Sequence, residues 1–178
     1  MDGGEDIRRD VEAAGEPFLP HVKKLVESGS PISVYEYWQL NKRKKATQAA
    51  YNKMWNATRS ASGRPVDVLL VPTMPHTATP HRTLRYPGYT KLFNFLDYTA
   101  LSFPAGRVSK ALDPSSPVEY EPRNAADAWN WSLYDRERMN GYSVGLQIVG
   151  QRMEEEKVLG VAQQFQRLLQ IEERQTMD

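Results

Sequence analysis

The chain has 178 residues, enough to bury a real core in one domain of ordinary size. Lys and Arg total 23 against 22 acids, a net charge of +1 that gives no general attraction to nucleic acid or to an anionic membrane. Cysteine is absent, which excludes disulfides, thiolate catalysis and zinc sites built on sulfur. No window approaches the length of a membrane span, and the opening MDGGEDIRRD lacks the apolar stretch of a secretory signal, so a cytoplasmic protein is the expectation.

Two short helices are predicted first: Ile7, Val11 and Ala14 recur at helical spacing, as do Val22, Leu25 and Val26 between the breaks at Pro20 and Gly29. Ser33-Val34-Tyr35-Glu36 forms a capping box, which predicts a long helix to about Arg59 with Val34, Tyr37, Trp38, Tyr51, Met54 and Trp55 turned toward a core. Residues 1–65 are therefore a helical segment. Val66 to Val71 is a short β-branched run stopped by Pro72, the profile of a strand buried on both faces. The stretch from Pro72 to Gly88 carries Pro72, Pro75, Pro80 and Pro87, and is a candidate functional loop.

Leu92, Phe93, Leu96 and Leu101 resume a helical spacing, and Phe103 to Val108 is a further candidate strand. A proline-bearing insertion from about Lys110 to Asn140 follows. Val144, Leu146, Ile148 and Val149 predict another strand, after which Val158, Val161, Ala162, Phe165, Leu168 and Leu169 mark one apolar stripe of a helix. Glu154, Glu155 and Glu156 suit the positive end of that helix dipole. Residues 66–178 thus form a strand and helix segment with proline-rich loops. Three short strands make a poor complete sheet for so many apolar helices, so residues 1–178 are expected to be a partial domain.

The constellations that carry chemistry elsewhere are weak. Gly141-Tyr142-Ser143-Val144-Gly145 matches a nucleophile elbow in letters, yet Ser143 enters a strand instead of leaving one for a helix. His76 and His81 with Asp67 or Asp97 would suit a triad or a metal site, but Pro80 prevents the helical spacing that aligns two rings. Asn41-Lys42-Arg43-Lys44-Lys45 is a basic run whose side chains point all around a helix, as solvated lysines do, and no nucleic-acid or membrane partner is expected. The sequons at Asn56 and Asn130 read as chance matches.

Several segments in this order resemble the C-terminal portion of amidase signature enzymes, of the fungal acetamidase-like and general type. They are Gly3-Gly4-Glu5-Asp6-Ile7, VDVLLVPTMPHTATPH (Val66 to His81), YTKLFNFLDYTALSFPAG (Tyr89 to Gly106) and GLQIVGQRMEEEKVL (Gly145 to Leu159). The resemblance implies an α/β fold, a mixed β-sheet covered by α-helices and incomplete by itself. It also implies hydrolysis of carboxylic amides to acid and ammonia or amine by a Ser-Ser-Lys set, without metal or organic cofactor. Those three residues lie upstream of anything matched here, so no catalytic residue is assigned and the chain alone is expected to be inactive. The family commonly has Leu-Pro where this chain has Tyr142-Ser143, which alters the turn into the last strand.

By the same resemblance Tyr89, Thr90, Asn94, Asp97 and Tyr98 correspond to the segment that approaches the acyl side of the substrate cavity. Gly145 and Gln147 correspond to the strand beneath it. Asn94 and Asp97 equally suit capping, and Gly145 close packing. The implied partners are a small amide substrate, if the N-terminal part is supplied, and another polypeptide completing the fold. The alternative is a truncated, non-catalytic interaction protein that binds through its exposed half.

Overall fold

The structure is a computed structural model that describes residues 2–114 and 120–175. Five residues of the proline-bearing insertion, 115–119, lie outside that range. The first two helices form as expected, α1 (Glu5–Ala14) and α2 (Pro20–Glu27), with Pro20 in the first turn of α2, where its missing N–H costs nothing. They pack close because Gly4 sits at φ 82° against α2: a Cβ there would lie 2.9 Å from Val26, itself 2% exposed.

Helix α3 (Val34–Ala57) opens on the capping box. Ser33 Oγ accepts from the Glu36 amide at 3.2 Å while the Glu36 carboxylate accepts from the Ser33 amide at 2.8 Å. The helix stops at Thr58, whose amide and hydroxyl both donate to the Trp55 carbonyl. Of the six residues assigned to a core-facing stripe, Trp55 is buried and Tyr51 partly so, but Val34, Tyr37, Trp38 and Met54 are 40–64% exposed. The reason is tertiary: the C-terminal half of α3 lies on α4 (Gly88–Leu96), where Gln48 Nε2 donates to the Phe95 carbonyl, and its N-terminal rings have no such cover.

Three strands, β1 (Leu69–Pro72), β2 (Thr99–Arg107) and β3 (Ser143–Gly150), form one sheet in the order β1-β3-β2, with both pairings antiparallel. The mixed character expected of the whole sheet therefore does not arise among the described strands. The strand expected over Val66 to Val71 is shifted and lies at an edge. Val66 cannot join the ladder, because its carbonyl accepts from Trp55 Nε1 and its amide donates to Thr58 Oγ1. As an edge, β1 alternates instead of being buried throughout, and Leu70 is 44% exposed.

Central β3 is covered on both faces. Val149 packs with Phe93 and Leu96 of α4, joined by Tyr51, Leu69, Val71 and Tyr98. On the opposite face Phe103, paired with Leu146, meets Phe165 of α7 (Glu155–Gln175) with ring centroids 5.7 Å apart. Removing Ile148 and Val149 wholly from water contributes about 1.5–3 kcal/mol each. The α7 stripe is confirmed through Val158, Val161, Ala162, Phe165 and Leu169, while Leu168 turns out to solvent.

Helix α4 ends earlier than the apolar spacing suggested. Asp97 adopts the left-handed conformation at φ 63°, and the Tyr98 amide bonds back to the Phe93 carbonyl, so Leu101 falls in β2. The insertion contains two short helices, α5 (Ala125–Ser132) and α6 (Arg136–Met139). Asn124 caps the first by accepting from the Ala126 and Asp127 amides, and Asp135 caps the second by accepting from Arg138.

Candidate functional site

A cavity of about 690 Å³ opens between the proline-rich loop after β1, the start of α4 and the α5–α6 region. Gln147 holds its rim. The side chain is 2% exposed, and its Nε2 donates to the carbonyls of Pro72, at 3.0 Å, and Tyr89, at 3.2 Å. The end of β1 and the first turn of α4 are thereby tied to the central strand. Two residues along β3, the Gly145 carbonyl accepts from both the amide and the hydroxyl of Thr73. Only glycine permits that approach, because a Cβ at position 145 would lie 2.6 Å from Thr73 Oγ1.

The walls are aromatic. Tyr89 stands edge-on to Tyr86, and Tyr120 lies against Trp131 with centroids 4.5 Å apart. Most polar groups here are already paired. The Tyr120 hydroxyl donates to Asp127 Oδ2 at 2.6 Å, and the Arg123 amide donates to the same oxygen at 2.9 Å. The Tyr120 bond, then the Arg123 amide, hold the Asp127 carboxyl below its ordinary range, and the bond to Asp127 raises the Tyr120 phenol. Tyr134 donates to the Pro114 carbonyl, and Arg107 to that of Gly141.

Two groups are left over. Both ring nitrogens of His76 and Oδ1 of Asn130 are buried without a hydrogen-bond partner. Burial pushes the His76 imidazole below the ordinary histidine range, with its own backbone opposing the shift, so the ring is held neutral. A neutral imidazole offers one donor and one acceptor.

The site residues implied by the family resemblance divide between the two ends of α4. Tyr89 lines the cavity, Gln147 and Gly145 stand behind its lining through their bonds to Pro72, Tyr89 and Thr73, and Thr90 follows Tyr89 with its hydroxyl donating to the Pro87 carbonyl. Asn94 is exposed, and its carbonyl accepts the Asp97 amide. Asp97 caps the helix and pairs with Arg152 at 3.0 Å. The Tyr98 ring packs edge-on to Tyr51 and Trp55, each 5.5 Å away. These last three serve the helix end and the core. Cavity members from the insertion, Tyr120, Asp127, Asn130 and Trp131, were not marked by any spacing, although the aromatic run Trp129-Asn130-Trp131 was the available signal.

Three other constellations come apart. His76 faces this cavity, whereas His81 lines a second one of about 730 Å³ beside Arg136 and Glu137. Among the described residues no three His, Cys, Asp or Glu gather where they would hold a metal. Ser143 is exposed at the start of β3, opposite Arg107, with no helix following directly. In the basic run, Lys44 lies over the Phe95 ring, 5.9 Å from its centroid, and its charged neighbours Lys42, Arg43 and Lys45 are exposed.

Comparison with known proteins bears on this arrangement. The family model described as Amidase matches residues 5–159. The chain is 80% identical over 168 residues to Amidase 1 of Gibberella moniliformis, covering 94% of this chain and 32% of that protein. It is 32% identical to the Acetamidase of Aspergillus oryzae, covering 94% and 31% respectively. A solved structure of fatty acid amide hydrolase superposes with a TM-score of 0.80 at 27% identity, over 94% of this chain and 30% of that one. The chain thus spans about a third of the length of the relatives it matches.

Proposed function

Because the chain belongs to the amidase family, we propose that it supplies scaffold and substrate-cavity wall to an enzyme that hydrolyses carboxylic amides to acid and ammonia or amine. In this reading the nucleophile, the base and the oxyanion donors come from the two thirds of the family fold not represented in these 178 residues. Those groups lower the barrier, because they attack the carbonyl and hold the charge that develops on its oxygen. This chain contributes position: a cavity wall carried by β3, α4 and α5, against which the substrate's side group is held while its amide is attacked. The reading includes a small amide as substrate and a cytoplasmic location. No described helix is long and apolar enough to cross a membrane.

The observation that carries the proposal is the uncovered face. Val34, Tyr35 and Trp38 of α3 are more than 60% exposed, and both outer strands of the sheet have a free edge among the described residues. A fold that matches a third of an amide hydrolase and leaves such a face open fits a larger body that covers it. Co-expression of residues 1–178 with the remaining N-terminal part of Amidase 1 of Gibberella moniliformis tests it. A one-to-one complex that releases ammonia from small amides, with neither part active alone, is the expected result. Ammonia release by the 178-residue chain alone, abolished by a substitution within it, refutes the division of labour. Association without turnover favours the interaction protein.

A further inference from the structure

We propose that Asn140-Gly141 is a deamidation site held in check by contacts between the segment that follows β2 and the turn that leads into β3, so that its modification follows local opening of the cavity wall. Asn140 is the one asparagine of this chain followed by glycine. Such a pair is chemically labile, because a residue without Cβ leaves its own nitrogen unhindered and free to turn toward the preceding side chain. Both residues are exposed to water. In the reaction the Gly141 nitrogen attacks Cγ of Asn140 and closes a cyclic imide, while the side-chain nitrogen leaves as ammonia with the proton that the Gly141 nitrogen gives up. Water then opens the ring at either carbonyl, to aspartate or to isoaspartate, whose main chain runs through the former side chain.

The fold holds each reacting group. The Gly141 amide, which is the nucleophile, donates to the Val108 carbonyl at 2.8 Å. The target side chain is held elsewhere, its Oδ1 accepting from the Lys110 amide at 3.0 Å. The backbone between them is extended, with Asn140 at ψ 128°, which carries the Gly141 nitrogen away from the position eclipsing Cβ that a five-membered ring requires. Three further contacts keep it there. The Arg107 guanidinium donates to the Gly141 carbonyl at 2.7 Å, the Val108 amide donates to the Tyr142 carbonyl at 3.0 Å, and Lys110 pairs with Glu137 of α6. Ring closure therefore needs the Gly141 and Lys110 bonds broken together, and its rate follows the fraction of molecules in which this turn is open. The turn belongs to the cavity wall: Arg107, Val108 and Met139 line the cavity, and the Met139 carbonyl accepts from the Tyr142 amide. Isoaspartate at position 140 lengthens the main chain by one carbon and puts the Gly141 amide out of register with Val108. Modification thus releases the contacts that had masked the site.

The test is peptide mapping by mass spectrometry of protein aged in mildly alkaline buffer, with and without denaturing urea. The sample is the 178-residue chain, or the co-expressed complex where the chain alone shows no cooperative melt. Conversion at Asn140 is expected to be at least about tenfold slower in the native protein than in urea. Hydrogen exchange of the Gly141 amide, followed on the same native sample, should be slowed by a similar factor, because both reactions need that N–H released by Val108. Arg107→Ala frees the Gly141 carbonyl without touching either reacting residue, and should speed native conversion about threefold or more while leaving the rate in urea unchanged. The wild-type comparison of conversion with exchange needs no variant to fold. Converted protein, separated by its added negative charge, should melt at a lower temperature than unconverted protein. Equal conversion in buffer and in urea overturns the proposal. So does slow native conversion beside an unprotected Gly141 amide, a folded Arg107→Ala that converts no faster than wild type, or identical melts of the two forms.

Discussion

Gln147→Leu should loosen the cavity rim while leaving the sheet in place. The wild-type amide donates at 3.0 Å to Pro72 and at 3.2 Å to Tyr89 from a side chain 2% exposed. Losing two neutral hydrogen bonds removes about 1–3 kcal/mol, and two carbonyls left short of a donor add on the order of 1 kcal/mol each. The leucine regains about 1 kcal/mol through its apolar burial, so the net loss is about 2–4 kcal/mol. For a chain of this size that lowers Tm by about 4–16 °C. Urea melts followed by circular dichroism provide the assay, with Gln147→Glu beside it. The glutamate places a carboxylate against two carbonyls and should cost more than the leucine. A loss below about 0.5 kcal/mol in both variants would show that the amide does not hold the rim, and the account of β1 and α4 being tied through β3 fails.

Gly145→Ala should destabilise by about 1–3 kcal/mol, since its methyl would meet Thr73 Oγ1 at 2.6 Å; adding Thr73→Ala should recover part of the loss in a double-mutant cycle, and strict additivity refutes the contact. Asp97→Ala should cost about 1 kcal/mol through the left-handed cap, whereas Asp97→Gly should cost less despite losing the exposed Arg152 pair. Equal losses in urea melts assign the effect to the ion pair. Burial holds the His76 pKa below its unfolded value of 6.5, so the unfolded chain binds more protons in the window below about pH 6.5. Its contribution to stability is fully present above that pH and is lost as pH falls toward the folded value. Asp113, Asp127 and Arg107 line the same cavity, so the check is the difference between wild type and His76→Gln in melts from pH 7.5 to about 5. A pH slope unchanged by the substitution refutes the assignment.

The elements were legible wherever local chemistry decided them. The Ser33–Glu36 box set the start of α3, the stripe from Val158 to Leu169 set α7, and the alternation through Ile148 set β3. Two helices of the insertion went unread, because α5 and α6 are short and depend on the caps Asn124 and Asp135 more than on any apolar period. The candidate site was legible only in part. Tyr89 lines the cavity and Gln147 and Gly145 hold its lining from behind, but Asn94, Asp97 and Tyr98 share their segment of sequence without sharing its direction, since α4 turns them toward its C-terminal end and the α3 interface.

The sequence by itself determined family, the start of α3, the stripe of α7 and the central strand, since each depends on residues near one another in the chain: a cap three positions from its partner, an apolar stripe, an ordered set of motifs. Only the tertiary structure decided which strand lay at an edge, which apolar residues of α3 were left uncovered, and which polar groups met across the cavity. The Gln147 amide reaches Pro72 and Tyr89 across 75 and 58 positions of chain, and the His76 loop is latched to α5 through Thr83 and Trp129, 46 positions apart. Contacts at that separation leave no periodic trace in sequence, because they are selected by the fold that brings them together.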